Sequence, residues 1–210
     1  DASTNIVPWG ILIGGEELHN NHHTYASSAK LSAQWWEFDI GWMYISIMQI
    51  LGLAKVKKLP PRLVSNPAKQ HLDLDTVRAV VRSRFQIMVR FSHDVTHRVH
   101  REELRKADRQ DHSKWALLKK ARRLMKKEIA HLSQKNRERL QKLLQHHGSL
   151  NTVYEMKRKL QDIWDQSSVT PEHLLHALEE WCLQAEATGI KALNDFSKKL
   201  RTYTLVPATA

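Results

Sequence analysis

The sequence predicts an all-α chain, and three features carry that expectation. Apolar residues beyond residue 70 recur at three- and four-residue steps, the same region is almost free of Gly and Pro, and no stretch of consequence alternates apolar and polar residues as a half-buried strand does. With 210 residues and 41% hydrophobic content, the chain can bury one sizeable core or two small ones.

Residues 6–15 are apolar and Gly-rich and run directly into residues 16–25, where polar and ligand-type side chains crowd together. After a short polar stretch comes Trp35-Trp36-Glu37-Phe38-Asp39, an aromatic and acidic mixture suited to a membrane–water boundary or the rim of a buried site. Residues 41–54 form an apolar helix candidate, but they fall short of the roughly twenty residues that a spanning helix needs. They also contain Gln49 and follow Asp39, so an interfacial or buried helix is expected. Residues 55–67 have basic side chains, three prolines and no periodicity, which reads as a linker. The expected organisation is a segment over 1–56, a linker over 57–70 and a helical region over 71–210.

Within that region Val77, Val81, Met88, Phe91, Val95 and Val99 make one apolar stripe ending near Leu104. A second runs through Leu118, Ala121, Met125, Ile129 and Leu132, then Leu140, Leu143 and Leu144, until Gly148 reads as a C-terminal cap. Two long amphipathic helices joined near residues 108–113 would pack as an antiparallel hairpin. Further helices are expected over 150–165 and over 171–188, the latter with Thr170 as N-cap, Pro171 at the first helical position and Gly189 at its end. A last short helix over 190–203 uses Ile190, Leu193, Phe196 and Leu200.

Charge separates the two regions. Lys and Arg total 33 against 22 Asp and Glu, a formal charge of +11. Residues 1–60 hold four basic and five acidic groups, so residues 61–210 account for the whole excess. Such a surface attracts nucleic acid, anionic lipid or an acidic protein. Its densest block is Lys119, Lys120, Arg122, Arg123, Lys126 and Lys127 on one helix. No base-reading motif accompanies it, so any nucleic-acid contact would be nonspecific and strongly salt-dependent. A lone cysteine, Cys182, excludes an internal disulfide and is expected to serve packing in a reducing, cytoplasmic setting. The start at Asp1, without a signal-peptide pattern over 6–15, reads as an internal one.

His19, His22 and His23 stand at i, i+3 and i+4, so on a helix all three imidazoles share one face and can reach one metal. Neutral imidazole suits iron, zinc and copper alike. Glu16, Glu17, Asn20 and Asn21 surround the triad and could orient the ring N–H groups. His93, His97 and His100 also have a helical spacing but sit among basic residues, and a solvated helix face is expected there. His146-His147 reads as a helix C-terminal feature that complements the dipole.

The run Gly15-Glu16-Glu17-Leu18-His19-Asn20-Asn21-His22-His23-Thr24-Tyr25 resembles the third histidine box of the integral-membrane acyl desaturases, of the form G-E-x-x-H-N-x-H-H-T-[FY]. Asn5-Ile6 before it, and Trp36-Glu37-Phe38-Asp39, Gly41-Trp42 and Leu51-Gly52-Leu53-Ala54 after it, are similar to the surroundings of that box in bacterial members. The resemblance covers about the first sixty residues. Residues 70–205 are similar to a C-terminal extension of some bacterial desaturases and, more loosely, to the tail of a transposase family, through Val153-Tyr154-Glu155-Met156-Lys157, Trp164 and Trp181-Cys182.

The first resemblance implies the C-terminal part of a helical membrane desaturase fold, followed by the basic helical extension. It implies an oxidoreductase that uses a di-iron centre, O2 and two electrons to place a cis double bond in a fatty acyl chain. Three boxes share the ligands in that family, and His19, His22 and His23 match only the third, with Glu16, Asn20 and Asn21 around them. Four transmembrane helices and two more boxes would precede Asp1, the iron centre would be completed by residues this chain lacks, and the chain alone would be inactive. The implied partners are a fatty acyl group on CoA, carrier protein or lipid, an electron-transfer protein and the bacterial inner membrane, with this segment on the cytoplasmic side. Nucleic acid is not an expected partner on that reading. The alternative is a basic helical nucleic-acid-binding or interaction module related to a transposase tail.

Overall fold

A computed structural model describes residues 9–10, 28–30, 32, 38–57, 59, 61–107, 112–126, 132–165 and 170–206. The chain divides into two compact units, one of residues 1–64 with 205–210 and one of residues 65–204.

In the first unit, β1 (Trp9–Gly10) pairs in parallel with β2 (Phe38–Asp39), Trp9 opposite Phe38 and Gly10 opposite Asp39. Asp39 ends the strand and starts the next element, because its buried carboxylate accepts the Trp42 N–H at 2.9 Å and the Ser32 N–H at 3.0 Å. That cap launches α1 (Ile40–Ile50), after which Gly52 takes a left-handed φ of 72° that stops the helix. No residue of α1 is buried, and Tyr44, Ile47, Met48, Ile50 and Leu51 are all exposed. The expected apolar helix is therefore present but shorter than 41–54. No helix among the described residues is long and apolar enough to cross a membrane.

The stretch read as a linker carries β3 (Arg62–Ser65), which pairs with β4 (Tyr203–Val206). Ser65 and Thr202 link their hydroxyls at 2.7 Å across 137 positions of sequence. Four-residue strands of this kind leave no usable period, since only Leu63 in β3 and Tyr203 in β4 are buried.

The second unit is a helical bundle. Asp73 caps α2 (Leu74–Arg82) by accepting the Thr76 N–H at 2.7 Å. The chain continues through α3 (Arg84–Phe91), a π-helical turn (Ser92–Thr96) and α4 (His97–Lys106). The expected single helix is thus segmented. Ala79, Val80 and Ile87 are buried where the stripe named Val81 and Met88, which are half-exposed. The wider π turn then holds Phe91, Val95 and Val99 on one buried face, although ordinary α geometry would let i+4 steps drift around the axis.

Next come α5 (His112–Lys126) and α6 (Gln134–His146), which pack against each other rather than continuing as one helix. The expected hairpin lies between α4 and α5, whose contact buries Leu118. Gly148 does not cap α6. His147 closes that helix on the Leu143 carbonyl at 3.1 Å, and Gly148 opens α7 (Gly148–Asp165) without a positive φ. For α8 (Pro171–Ala187) the start is as expected, with Pro171 in the first turn and the Thr170 hydroxyl accepting the His173 N–H at 3.4 Å. Gly189 follows at φ 69°, and α9 (Lys191–Arg201) completes the bundle.

The core is organised by Phe91, Trp181 and Phe196, three mutually edge-on rings with centroids 5.2–6.4 Å apart. Such pairs add stability beyond the area they bury. The Trp181 indole N–H donates to the Met156 carbonyl at 2.9 Å, so α8 is tied to α7 without leaving that buried donor unmet. Lys157 is buried too, and its ammonium donates to the Met125 carbonyl at 2.9 Å.

Two stability predictions follow from this packing. Phe91→Ala should cost about 3–5 kcal/mol in urea unfolding, because both ring partners lose contact at a fully buried site. Gly189→Ala should lower the unfolding free energy by about 1 kcal/mol through backbone strain alone, since a Cβ there meets nothing within 4 Å.

Candidate nucleic-acid interface

The buried positions of α5 are Leu118, Ala121, Leu124 and Met125, one face of a helix turned inward. Helical geometry then puts Lys119, Lys120, Arg122 and Arg123 on the outside, and all four are exposed. Lys119 lies over the Trp115 ring, 3.6 Å from its centroid. The side chains of Lys126 and Lys127 lie outside the described residues. Charge is confined within the bundle itself. Residues 82–142 hold 19 Lys and Arg against 7 Asp and Glu, whereas residues 143–204 hold 7 against 8. One side of the helical order therefore carries the positive excess, and the other is close to neutral.

Four histidines bear on this surface, of which His93 and His97 lie with ring centroids 6.2 Å apart. His100 is buried and its Nε2–H donates to the Leu118 carbonyl at 2.8 Å, pinning α4 to α5. The expected solvated face therefore does not include His100, because its ring satisfies a carbonyl inside the bundle. His93 is exposed and its Nδ1–H donates to Asp94 at 2.9 Å. His97 accepts at Nε2 from the Arg122 guanidinium, 3.4 Å away. Desolvation, together with the neighbouring Arg101 and Arg122 cations, holds its pKa below the usual histidine value. His147 donates from Nδ1 to Glu103 at 3.0 Å, so it bridges α4 and the end of α6 instead of decorating a dipole.

Beside the π turn is a cavity of about 420 Å³, lined by residues that include His93, Asp94, His97, Arg98, Arg101 and Lys199. Lys199 pairs with Asp94 at 2.9 Å and Arg98 with Asp195 at 2.7 Å, so the ion pairs clasp α9 onto the π turn and α4. Hydrogen bonds from His93 and Lys199 outweigh the opposing effect of burial and hold the Asp94 carboxyl below its ordinary value. This cluster was legible only as a histidine spacing. The interleaved Arg98 and Arg101 were the signal that could have marked it as an anion-attracting site.

The other predicted site lies elsewhere in the chain. His19, His22 and His23, with Glu16, Glu17, Asn20 and Asn21, lie outside the described residues. Among the described residues no group of three or more His, Cys, Asp or Glu side chains could hold a metal ion. Cys182 is fully buried and burial pushes its thiol up to about 11, which leaves it a packing group. It should resist a thiol reagent at pH 8 in the folded protein and react only at the rate of unfolding; prompt labelling would contradict that placement.

Comparison with known proteins returns two different relationships. A transposase family, the ISL3 type, matches residues 78–205. Separately, a stretch of about sixty residues is similar to curated desaturases. It is 51% identical over 61 residues to the sn-1 stearoyl-lipid 9-desaturase of Synechocystis, covering 29% of this chain and 19% of that protein. It is 48% identical over 59 residues to the protein of the same name from Anabaena variabilis, covering 28% and 22%. The Delta-9 acyl-lipid desaturase 1 of Arabidopsis thaliana is 42% identical over 60 residues, covering 29% and 20%. The chain spans about a fifth of the length of these relatives. No solved structure matches. The chain thus contains a desaturase-like segment of about sixty residues.

Proposed function

The chain belongs to the ISL3 transposase family, and from that premise we propose that its helical unit binds nucleic acid through the phosphate backbone, using the basic face of α4 and α5. The observation that carries this reading is the confinement of the positive excess to residues 82–142, with Leu118, Ala121, Leu124 and Met125 of α5 buried and Lys119, Lys120, Arg122 and Arg123 exposed. Such a face neutralises phosphates and releases counterions, and it carries no sequence information by itself. Sequence alone put lipid and an electron-transfer partner ahead of nucleic acid for this surface; the family match supports the reverse order.

The expected behaviour is duplex binding that weakens steeply with salt. Replacing Lys119, Lys120, Arg122 and Arg123 together by Gln should cut the slope of log affinity against log salt by up to about 3.6, taking about 0.9 per lost phosphate contact. Gel shifts over a salt series, run beside co-sedimentation with anionic vesicles, check this. Binding to vesicles without binding to DNA would point to a membrane-facing role instead.

A second reading belongs to the other unit. The histidine box and the desaturase relatives support a segment of fatty-acyl desaturase type, in which His19, His22 and His23 are metal ligands oriented by Glu16, Asn20 and Asn21. The exposed apolar side chains of α1 suit contact with a membrane interface or with an apolar body. The complete parent enzyme would act on a fatty acyl group at a bacterial inner membrane, with electrons from a carrier protein, and its iron would supply O2-dependent oxidation. Three imidazoles fit iron in donor type, but they are too few for two irons, so this chain alone is expected to be inactive. It should bind at most one zinc or ferrous ion weakly. Titration calorimetry checks the assignment: His19→Ala should lower the affinity about tenfold or more, and an unchanged affinity would remove the triad as a site.

A further inference from the structure

We propose that the cavity beside the π turn is a phosphate-binding site, with Arg101 and His97 as its donors and Arg122 behind them. On the reading above, the phosphate comes from a nucleic-acid backbone. The lining carboxylates are already engaged, Asp94 by His93 and Lys199, and Asp195 by Arg98. Those pairs leave the acidic groups neutralised in place. Arg101 is exposed, lines the cavity and makes no ion pair among the described residues. Its guanidinium stands at the cavity wall with planar donors suited to phosphate oxygens. The floor is apolar, formed by Ala192 and Phe196, and the volume lies at the small-ligand end of binding cavities, roughly 300–1,000 Å³. A phosphate with its attached sugar matches both features.

His97 gives the site a second property. Its Nε2 accepts from Arg122, so the free site holds the ring neutral. Arg101, His93 and His100 face it from its own run of helix and Arg122 from α5, while Asp94, Asp195, Arg98 and Lys199 stand around the cavity. An anion between Arg101 and His97 offsets the surrounding cations. The ring then takes a proton from solvent at Nε2 and donates with Arg101 to phosphate oxygen, while the bound anion offsets the Arg122 cation behind it. Affinity should rise as pH falls, because the bound state holds the extra proton.

The test uses the full chain with two probes, inorganic phosphate and a duplex DNA. Phosphate should shift the His97 ring resonance in NMR and raise its titration midpoint. Arg101→Gln should abolish that shift and weaken DNA binding about fivefold, with the salt slope smaller by about 0.9. His97→Asn should remove the pH dependence, and Lys198→Gln, an equal charge change at an exposed site outside the cavity, should leave the ring shift intact. A His97 resonance unmoved by phosphate, or an Arg101→Gln protein with the original affinity and slope, overturns the proposal while leaving backbone binding by α5 standing. Phosphate binding without DNA binding keeps the site, and it is then the nucleic-acid reading that fails.

Discussion

Everything in the helical unit depends on the burial of three edge-on rings, Phe91, Trp181 and Phe196. They gather α3, α8 and α9 around one centre, and burying large aromatic side chains supplies a major share of the apolar stabilisation available to a domain of this size. Once that core is formed, 19 basic side chains over residues 82–142 cannot enter it without losing hydration that no partner replaces. On α5, Lys119, Lys120, Arg122 and Arg123 stand exposed. Two buried polar groups of the unit show the cost: the Lys157 ammonium donates to the Met125 carbonyl, and the His100 ring to the Leu118 carbonyl. The basic surface is therefore a consequence of the core, and function is built on what the core expels.

The two units solve different problems. The helical unit buries most of its large apolar residues and leaves Phe85, Val89 and Leu183 exposed, whereas α1 and the turn after it leave Ile47, Met48, Ile50, Leu51 and Leu53 exposed with no residue of α1 buried. An apolar helix with no buried residue is incomplete by the ordinary rule that such a face seeks cover. That contrast agrees with the two relationships found by comparison. The transposase match covers residues 78–205, and the desaturase likeness is confined to about sixty residues. One chain thus holds both a stretch similar to desaturases and a helical region of a transposase family.

Much of the helical unit was legible in the sequence because its signals are local. Thr170, Pro171 and Gly189 mark the limits of α8 through backbone requirements that hold in any context. Cys182 and the cationic side of α5 were readable from burial pattern and spacing. Features that depend on partners far along the chain were not. The pairing of β3 with β4 joins distant four-residue strands, and the buried face ahead of the π turn runs through Val80 and Ile87 instead of Val81 and Met88. Gly148 looked like a cap because of its identity, yet His147 already ends α6. The cavity needed α9 to bring Lys199 and Asp195 against the π turn, which no periodicity announces. The histidine box was the reverse case: its spacing spoke plainly, and its residues fall outside those described.

Hydrogen–deuterium exchange of the full chain, with and without duplex DNA at low salt, tests the central claim most directly. DNA should slow exchange along α4, the π turn and α5 and leave α7 and α8 unchanged, because only the former carry the positive excess. Protection confined to α7 and α8, or none anywhere in the helical unit, would contradict it.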